Sequence, residues 1–372
     1  MNNYLKLIHC RYQMLLWLIF IIFISCDNNN NDGDAGPDNN HDLTLVANSS
    51  SQWTGIAVSQ TSRTFANYPN WKEGHTLSVI ELTDTANKRP YPNEAWNTWT
   101  GEQDPSEHFI CVQSVFVDQQ NYLWILDAAN PQRKGEYLGV VPGGAKLVKI
   151  DLNTNTVVKT IVFHEPAIEK NSYLNDIRID EARQIGYITD SNEGALVVVN
   201  LQSGEARRCL AQDPTTKSEN RILTVEGIKV RNEKGEYINF HSDGIEINPD
   251  KSYIYWRPIN GESLYRLSTA LLNDPNVTDS TLSANVQHMG DFPPSDGMIF
   301  GKNGRLYLTS IEENAVRVYD EGESATSIVT QGEDLKWPDS FAVGPDGTIY
   351  VTTSQIHIKN PTQPYRIFKF QP

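Results

Sequence analysis

The segment Asp243-Gly-Ile-Glu-Ile shows the pattern that sets the architecture: a polar residue, a small residue and then alternating apolar positions. The pattern recurs in five other segments: Thr54-Gly-Ile-Ala-Val, Gln113-Ser-Val-Phe-Val, Asn175-Asp-Ile-Arg-Ile, Asp296-Gly-Met-Ile-Phe and Asp339-Ser-Phe-Ala-Val. Their first residues, which we call the strand heads, are 59, 62, 68, 53 and 43 positions apart. A divergent repeat near this period indicates a closed array of small sheets.

The sequence after each head predicts further strands. A turn follows, most clearly in Asn248-Pro-Asp-Lys, Gly301-Lys-Asn-Gly and Gly344-Pro-Asp-Gly, where Pro and Gly supply the dihedral angles of tight turns. A second run rich in aromatic and β-branched residues comes next, as in Leu123-Trp-Ile-Leu-Asp. A third run, such as Leu147-Val-Lys-Ile-Asp, closes each unit, and only Ser268 to Asn273 suggests a turn of helix. We therefore predict an all-β fold, a six-bladed β-propeller.

The strand heads are the first candidates for a functional site. The inner strand of each propeller blade lines the central channel, so equivalent residues of successive blades should converge at one mouth of it. Asn175, Asp243, Asp296 and Asp339 would then face one another. The alternative is that these polar residues only hydrogen-bond local backbone at the strand starts.

The N-terminal segment predicts export. Lys6, His9 and Arg11 precede an apolar run from Met14 to Ile24, which is long enough for a signal-peptide core and too short to span a bilayer. The run ends at Phe23-Ile-Ser-Cys26, which resembles the lipobox of bacterial lipoproteins and predicts a lipid on Cys26. An ordinary signal peptide or a short uncleaved anchor are the alternatives.

The predicted organisation has three parts. Residues 1–25 would be a lipoprotein signal peptide, residues 26–45 a flexible polar tether rich in Asn and Asp, and residues 46–372 a single propeller domain. We expect the protein at the bacterial cell envelope, anchored in a membrane by its lipid and facing the periplasm or the cell surface.

Charge and cysteine content narrow the function classes. The formal net charge is -15 and becomes -17 without Lys6 and Arg11, which argues against nucleic acid or an anionic lipid surface as a partner and is consistent with cationic ligands. The alternative is that the acidic surface serves solubility alone. Cys111 and Cys209 follow the signal segment and could be free thiols or, in an oxidising compartment, a disulfide.

The sequence contains no Cys-x-x-Cys pair, His-Glu-x-x-His motif or phosphate-binding glycine loop. We expect a monomer without a nucleotide cofactor.

Several segments together resemble one known family. They are Gly55-Ile-Ala-Val-Ser with Arg63-Thr-Phe, Leu174-Asn-Asp-Ile with Tyr187-Ile-Thr-Asp-Ser, Ser242-Asp-Gly-Ile with Leu264-Tyr-Arg-Leu, and Trp337-Pro-Asp-Ser-Phe with Val351-Thr-Thr-Ser-Gln. From about Trp53 to the C-terminus the chain resembles the major royal jelly and Yellow protein family, and in particular its bacterial members related to dopachrome tautomerase. The resemblance implies a six-bladed propeller and an exported protein. It leaves function open, because the family includes pigment-pathway proteins, nutritive proteins and binders of aromatic amines.

The first functional hypothesis is a protein that binds a small aromatic or cationic molecule at the channel mouth. The carboxylates of Asp243, Asp296 and Asp339, with the amide of Asn175, would hold an ammonium group. Three aromatic residues near the heads could offer a ring to the ligand: Phe240, Trp256 and Trp337. For each of them the alternative is packing between blades.

The second hypothesis is an enzyme at the same mouth, either a dopachrome-type tautomerase or a lactone hydrolase. A tautomerase would need a channel carboxylate as its general base. Gluconolactonase-type propellers look similar in blade pattern and hold a divalent cation in the channel, which would place calcium on Asn175, Asp243 and Asp296. Thr54 and Gln113 depart from that ligand pattern.

Overall fold

The computed structural model describes residues 41–323 and 325–372, which form six four-stranded antiparallel sheets. Strand β1 (Thr44–Ser49) comes first in the chain. Blade 1 then contains β2 (Ile56–Val58), β3 (Thr64–Asn67), β4 (Val79–Leu82) and β5 (Lys88–Pro90). Blade 2 contains β6 (Val112–Val117) and β7 (Tyr122–Asp127), followed by a separate ribbon of β8 (Gln132–Arg133) and β9 (Glu136–Tyr137), and is completed by β10 (Lys146–Asp151) and β11 (Thr156–Val162).

The remaining blades follow in chain order. Blade 3 contains β12 (Leu174–Asp180), β13 (Ile185–Asp190), β14 (Ala195–Asn200) and β15 (Ala206–Cys209). A ribbon of β16 (Thr224–Val225) and β17 (Ile228–Lys229) precedes blade 4, which contains β18 (Ser242–Ile247), β19 (Tyr253–Pro258), β20 (Ser263–Ser268) and β21 (Gln287–Asp291). Blade 5 contains β22 (Met298–Phe300), β23 (Leu306–Ser310), β24 (Ala315–Tyr319) and β25 (Ser327–Gln331). Blade 6 contains β26 (Pro338–Val343), β27 (Ile349–Thr353) and β28 (Tyr365–Phe370).

The described helices are short. They are α1 (Glu94–Asn97), α2 (Thr269–Asn273), α3 (Asp279–Asn285) and a 3₁₀ turn at Pro214–Thr216. The hydroxyl of Ser268 accepts the N–H of Ala270 and caps α2, so the predicted helical turn is confirmed. No helix in residues 41–323 or 325–372 has the length and apolar character needed to cross a membrane.

The ring is closed by the N-terminal strand. Strand β1 pairs with β28 and becomes the fourth, outer strand of blade 6. The inner strands β2, β6, β12, β18, β22 and β26 each contact the next one around the channel, and β26 contacts β2. The six-bladed propeller predicted from the repeat is confirmed.

The strand heads lie where the sheet ladder is irregular. The pairing register shifts just after Leu174, Ser242 and Pro338, which leaves unpaired backbone at each of these heads. Threonine hydroxyls from the second strands fill the gap. Thr189 accepts the N–H of Asp176 at 3.2 Å and donates to the carbonyl of Asp243 in the next blade at 2.5 Å. These hydroxyls therefore bind neighbouring blades together at the level of the heads.

Close approach between blades explains the glycine after the heads of blades 4 and 5. A Cβ atom on Gly244 would lie 2.3 Å from the carbonyl oxygen of Asp296, and one on Gly297 would lie 2.2 Å from that of Asp339. Neither position has room for a side chain unless the backbone moves. Blade-to-blade packing at the channel thus requires glycine at these two positions, whereas blade 3 has Asp176 there.

Two aspartates hold the segments that lead into the inner strands. Asp127, at the end of β7, accepts the N–H groups of Ile110 and Cys111 at 2.8 and 2.9 Å and pairs with the buried Lys146 at 2.7 Å. Asp190, at the end of β13, accepts the N–H of Tyr173 at 3.0 Å. These bonds fix the backbone immediately before the heads of blades 2 and 3.

The two faces of the ring carry different connections. We call the side at which the inner strands start the head face, and the side at which they end the turn face. The predicted tight turns at Asn248, Gly301 and Gly344 all lie on the turn face, each closed by a backbone hydrogen bond of 2.8 to 3.0 Å. Most of the longer connections lie on the head face, including both two-stranded ribbons, whereas the connection from β20 to β21, which contains α2 and α3, lies on the turn face.

Apolar side chains fill the spaces within and between the blades. Trp53, Trp124, Trp256 and Trp337 are completely buried, and Trp53 stacks on Tyr68 with a centroid distance of 6.1 Å. Cys111 and Cys209 are both buried free thiols in this structure. Burial raises the pKa of the Cys111 thiol to about 12, which makes it a poor nucleophile.

Replacement of Gly297 by Ala should test the packing constraint at the heads. The new methyl group would clash with the Asp339 carbonyl, so the free energy of unfolding should fall by about 2 kcal/mol. Gly332→Ala is the matched control, because a Cβ there meets no atom within 4 Å. Urea unfolding of both variants measures the difference. Equal stabilities would show that the blades do not constrain this position.

Candidate functional site

Five of the six strand heads surround one small cavity on the channel axis, which we call the head cavity. Its volume is about 20 Å³. It is lined by the heads Gln113, Asn175, Asp243, Asp296 and Asp339, together with Trp71, Tyr137, Tyr173, Ser191, Phe240, Ile259 and Ile356. The sixth head, Thr54, instead donates to the carbonyl of Gln113 at 3.1 Å and links blade 1 to blade 2.

Hydrogen bonds connect the polar heads. The side-chain N–H of Asn175 donates to Asp243 at 2.6 Å, and the carboxyl groups of Asp243 and Asp296 line the same cavity. Asp339 accepts a hydrogen bond from the hydroxyl of Ser340 at 3.0 Å. The three aspartates are at least 94% buried, and among the described residues none has a lysine, arginine or histidine within ion-pair distance.

Burial is the main electrostatic influence on these carboxyl groups. It raises the pKa of Asp243 well above its ordinary value, and the charges of Asp176 and Asp339 raise it further. Burial likewise raises the pKa of Asp296 and of Asp339, and each also feels a neighbouring aspartate. The cluster therefore favours bound protons unless a positive charge enters.

Aromatic rings cover the acidic heads. Tyr137 and Tyr173 pack at a centroid distance of 4.9 Å. The indole N–H of Trp71 donates to the Tyr173 hydroxyl at 2.7 Å, and that hydroxyl donates to Gln113 at 2.8 Å. Burial, together with the charge of Asp243, raises the pKa of Tyr137, so its phenol stays neutral. The cavity therefore combines an acidic side with an aromatic side.

The structure places the three aromatic residues that were predicted at the channel mouth in three different surroundings. Phe240 lines the head cavity as predicted from its place before Asp243. Trp337 lies behind the cavity, where its indole N–H donates to Asp296 at 2.7 Å, so it orients a carboxyl group and does not line the space. The prediction that Trp256 lies at the mouth is wrong. Its ring packs between blades in the apolar core, and its N–H donates to the carbonyl of Thr215 at 2.8 Å.

The sequence reasoning missed Trp71, Tyr137, Tyr173 and Asp176. Tyr173 lies two residues before its head, as Trp337 does in blade 6, so the repeat contained a signal for it. Trp71 and Tyr137 come from connections on the head face that have no counterpart in the other blades. Asp176 directly follows a head and lies one layer further along the channel, where it is 92% buried.

The arrangement of donors does not fit a calcium ion on Asn175, Asp243 and Asp296. Asn175 turns its N–H, and not its carbonyl oxygen, toward Asp243. The described residues contain no group of three or more His, Cys, Asp or Glu side chains placed to hold a metal. Calcium prefers six to eight oxygen ligands that face one point, so we derive no metal-dependent step from these residues.

Comparison with known proteins supports the family resemblance. The family model described as "Major royal jelly protein" matches residues 110–370. Major royal jelly protein 3 from Apis mellifera is 22% identical over 261 residues, which cover 66% of this chain and 44% of that protein. The match thus spans less than half the length of this relative.

Solved structures with a similar fold include two propellers with enzymatic names. A luciferin-regenerating enzyme has a TM-score of 0.56 and 9% identity, over 89% of this chain and 95% of that chain. A gluconolactonase from Xanthomonas campestris has a TM-score of 0.51 and 11% identity, over 91% of this chain and 98% of that chain. At these identities the similarity shows the fold alone. With its repeat, its closed ring of blades and the matched residues 110–370, this chain belongs to the major royal jelly protein family.

Proposed function

We propose that this chain is a binding protein for a small aromatic or cationic molecule, which it holds at the head cavity. The observation that carries the proposal is that carboxyl groups and aromatic rings line the same cavity. Carboxyl groups of Asp243, Asp296 and Asp339 face the same cavity as the rings of Tyr137 and Phe240. An ammonium group would neutralise the buried carboxylates, and an aromatic face attracts a cation.

The size of the cavity limits which part of the ligand it holds. A water molecule needs about 10–15 Å³ of such space, so 20 Å³ suits a single ammonium group and excludes an aromatic body. Trp71 separates the head cavity from an outer cleft of about 280 Å³ that also contacts Tyr68 and His75. We infer that Trp71 turns aside when the ligand enters, so that the ligand body occupies part of this cleft.

Proton transfer is the second candidate function of the same site. Asp243 and Asp296 line the same cavity, and burial raises the pKa of both carboxyl groups, so that either could take up and return a proton. Such a pair could move a proton on an oxidised catechol, as a tautomerase requires. No comparable feature among the described residues favours lactone hydrolysis.

We also propose that the protein is exported and anchored by a lipid on Cys26. The support is the order of the N-terminal sequence, in which basic residues, an apolar run and Ser25-Cys26 follow one another. Cys26 and the whole of residues 1–40 lie outside the described part of the chain.

Removing charge from the acidic pair should weaken amine binding. The double variant Asp243→Asn with Asp296→Asn keeps the shape of the site and replaces two carboxyl groups by neutral amides. If each lost pairing costs roughly 1.5 kcal/mol, the affinity for an aromatic amine such as dopamine or tryptamine should fall about a hundredfold. Isothermal titration calorimetry measures the change.

The matched control removes the same formal charge elsewhere. Glu102→Gln with Glu323→Gln changes two exposed carboxylates that line neither the head cavity nor the outer cleft, and its amine affinity should equal that of the wild type. If the heads variant also binds amines normally, the acidic cluster is structural. Loss of tautomerase turnover with normal amine affinity would move the assignment to the enzyme.

The pH dependence of amine affinity follows from the raised pKa values. The carboxyl groups are protonated at low pH and must lose protons to pair with a cation, so affinity should rise with pH above about 4, the ordinary pKa of aspartate. Binding should also release protons. Titrations in buffers with different ionisation enthalpies detect this release, and a pH-independent affinity without proton release would contradict the proposal.

Replacement of Cys26 by Ser should release the protein from membranes. The variant lacks the sulfur that would carry the lipid, whereas Cys111 and Cys209 remain. Metabolic labelling with a fatty-acid analogue followed by membrane fractionation compares the two proteins, and Ser25→Ala serves as a control that keeps a small residue before the cysteine. A wild-type protein that is unlabelled and soluble would refute the anchor.

A further inference from the structure

A groove lies outside the central channel, where blade 6 meets blade 1 and the ring closes. It is lined by residues 48–50, 72 and 359–365, and we call it the seam groove. Its volume is about 560 Å³. The lining residues come from the end of β1, the connection between β3 and β4, and the connection between β27 and β28. All three segments lie on the head face.

The seam groove is basic although the chain is acidic. Lys72 and Lys359 are exposed and line it, and none of the described residues that line it is an aspartate or a glutamate. Among the described residues no carboxylate lies within ion-pair distance of either lysine. Elsewhere ion pairs neutralise many basic side chains, such as Arg63 with Glu81 at 2.7 Å. A chain of formal net charge -15 thus keeps two uncompensated cations in one groove.

The row of lysines continues beyond the seam groove. Ser50 and Lys72 line both this groove and the outer cleft, so the two spaces adjoin. Lys88 lines the outer cleft. Lys359, Lys72 and Lys88 therefore follow one another along the seam between the two blades. Of the described residues that line either space, Glu73 alone is acidic.

The neutral side chains of the seam groove suit a ligand that carries hydroxyl groups. Amides and hydroxyls can both donate and accept hydrogen bonds, and five exposed ones line the groove: Asn48, Ser50, Asn360, Thr362 and Gln363. None of these five side chains makes a hydrogen bond with the described residues. Pro361 and Pro364 add small apolar surfaces between them. Tyr365 is the one aromatic residue of the lining, and only 4% of it is exposed.

These features distinguish between kinds of anionic partner. Single-stranded nucleic acid binds through exposed aromatic side chains on which its bases stack, and the lining of the seam groove offers none. A bilayer surface binds apolar side chains that insert among its lipids, whereas amides, hydroxyls and lysines line this concave groove. A chain of acidic sugars carries carboxylates and hydroxyl groups along its length, and it needs neither stacking nor insertion.

We propose that the seam groove binds an acidic polysaccharide, a polymer of uronate sugars. Lys72 and Lys359 would pair with carboxylates of different sugars, and the amides and hydroxyls would bond to the hydroxyl groups between them. Each exposed ion pair contributes little, so the affinity arises from several contacts with one polymer. It should decrease as the salt concentration rises. The inference does not depend on ligand binding at the head cavity.

The first test uses polygalacturonate, attached to a biolayer-interferometry sensor through its reducing end. The dissociation constant should rise about tenfold in Lys72→Gln with Lys359→Gln, since one exposed ion pair changes affinity by about threefold. The matched control is Lys229→Gln with Lys302→Gln, which removes two exposed lysine charges that line neither the seam groove nor the outer cleft. The control should bind as the wild type does. Equal weakening in both double variants would overturn the proposal, as would a wild type that does not bind.

The second test changes the partner. Methyl esterification of polygalacturonate removes its negative charge and keeps the sugar chain, so the wild type should bind the esterified polymer at least tenfold more weakly. Equal affinity for the two polymers would contradict pairing with the lysines. Vesicles of phosphatidylglycerol test a lipid surface as the partner and should not bind through the groove. Vesicle binding that is lost in the Lys72→Gln with Lys359→Gln variant, in a protein that ignores polygalacturonate, would assign the groove to lipid instead.

The third test needs no substitution in the groove. Acetic anhydride acetylates exposed lysines, and mass spectrometry measures the rate at each one. Polygalacturonate should slow the reaction of Lys72 and Lys359 and leave that of Lys229 and Lys302 unchanged. The double variant Asp243→Asn with Asp296→Asn should show the same protection, whatever its affinity for amines. Uniform protection of all four lysines, or its loss in the variant of the heads, would contradict a separate site in the seam groove.

Discussion

The contact between neighbouring inner strands at the level of the heads is the constraint on which the structure depends. Here the backbone of one blade approaches the next so closely that Gly244 and Gly297 have no room for a Cβ atom. Hydroxyls such as Thr189 and Thr352 bridge the same contact, with donor–acceptor distances of 2.5 and 2.6 Å to the next blade. The six inner strands start at the same end of the channel, and the side chains of five of the six heads meet in one small cavity.

Convergence has an electrostatic consequence. Asp243, Asp296 and Asp339 are carried by consecutive blades, and Asp176 adds a fourth carboxyl group one layer away. Burial of several carboxylates without a neutralising cation costs free energy, because their charges lose water and repel one another. A structure stabilised only by packing would use amides or hydroxyls here, as blades 1 and 2 do with Thr54 and Gln113. This cost is the reason for which we propose a ligand at the acidic heads.

The sequence predicts the parts of this protein that repeat. The heads, turns and second strands recur in every blade, so their register identifies the fold and brings Asn175 and the three aspartates to one cavity. Trp71 and Tyr137 could not be found this way, because they come from connections that differ in each blade. Trp256 shows the opposite error. It lies within a repeating strand, and its side chain points between blades rather than toward the channel, a direction that proximity in sequence does not reveal.

The central claim is that the acidic heads hold protons until a cation replaces them. The most direct measurement is a pH titration of the aspartate carboxyl carbons by nuclear magnetic resonance on the ligand-free protein, with Asp→Asn variants to assign the signals. The account predicts that the signals of Asp243, Asp296 and Asp339 titrate well above the ordinary aspartate pKa and move to the ionised position when an amine is added. Titration of all three aspartates at about pH 4, with no response to amines, would contradict this claim.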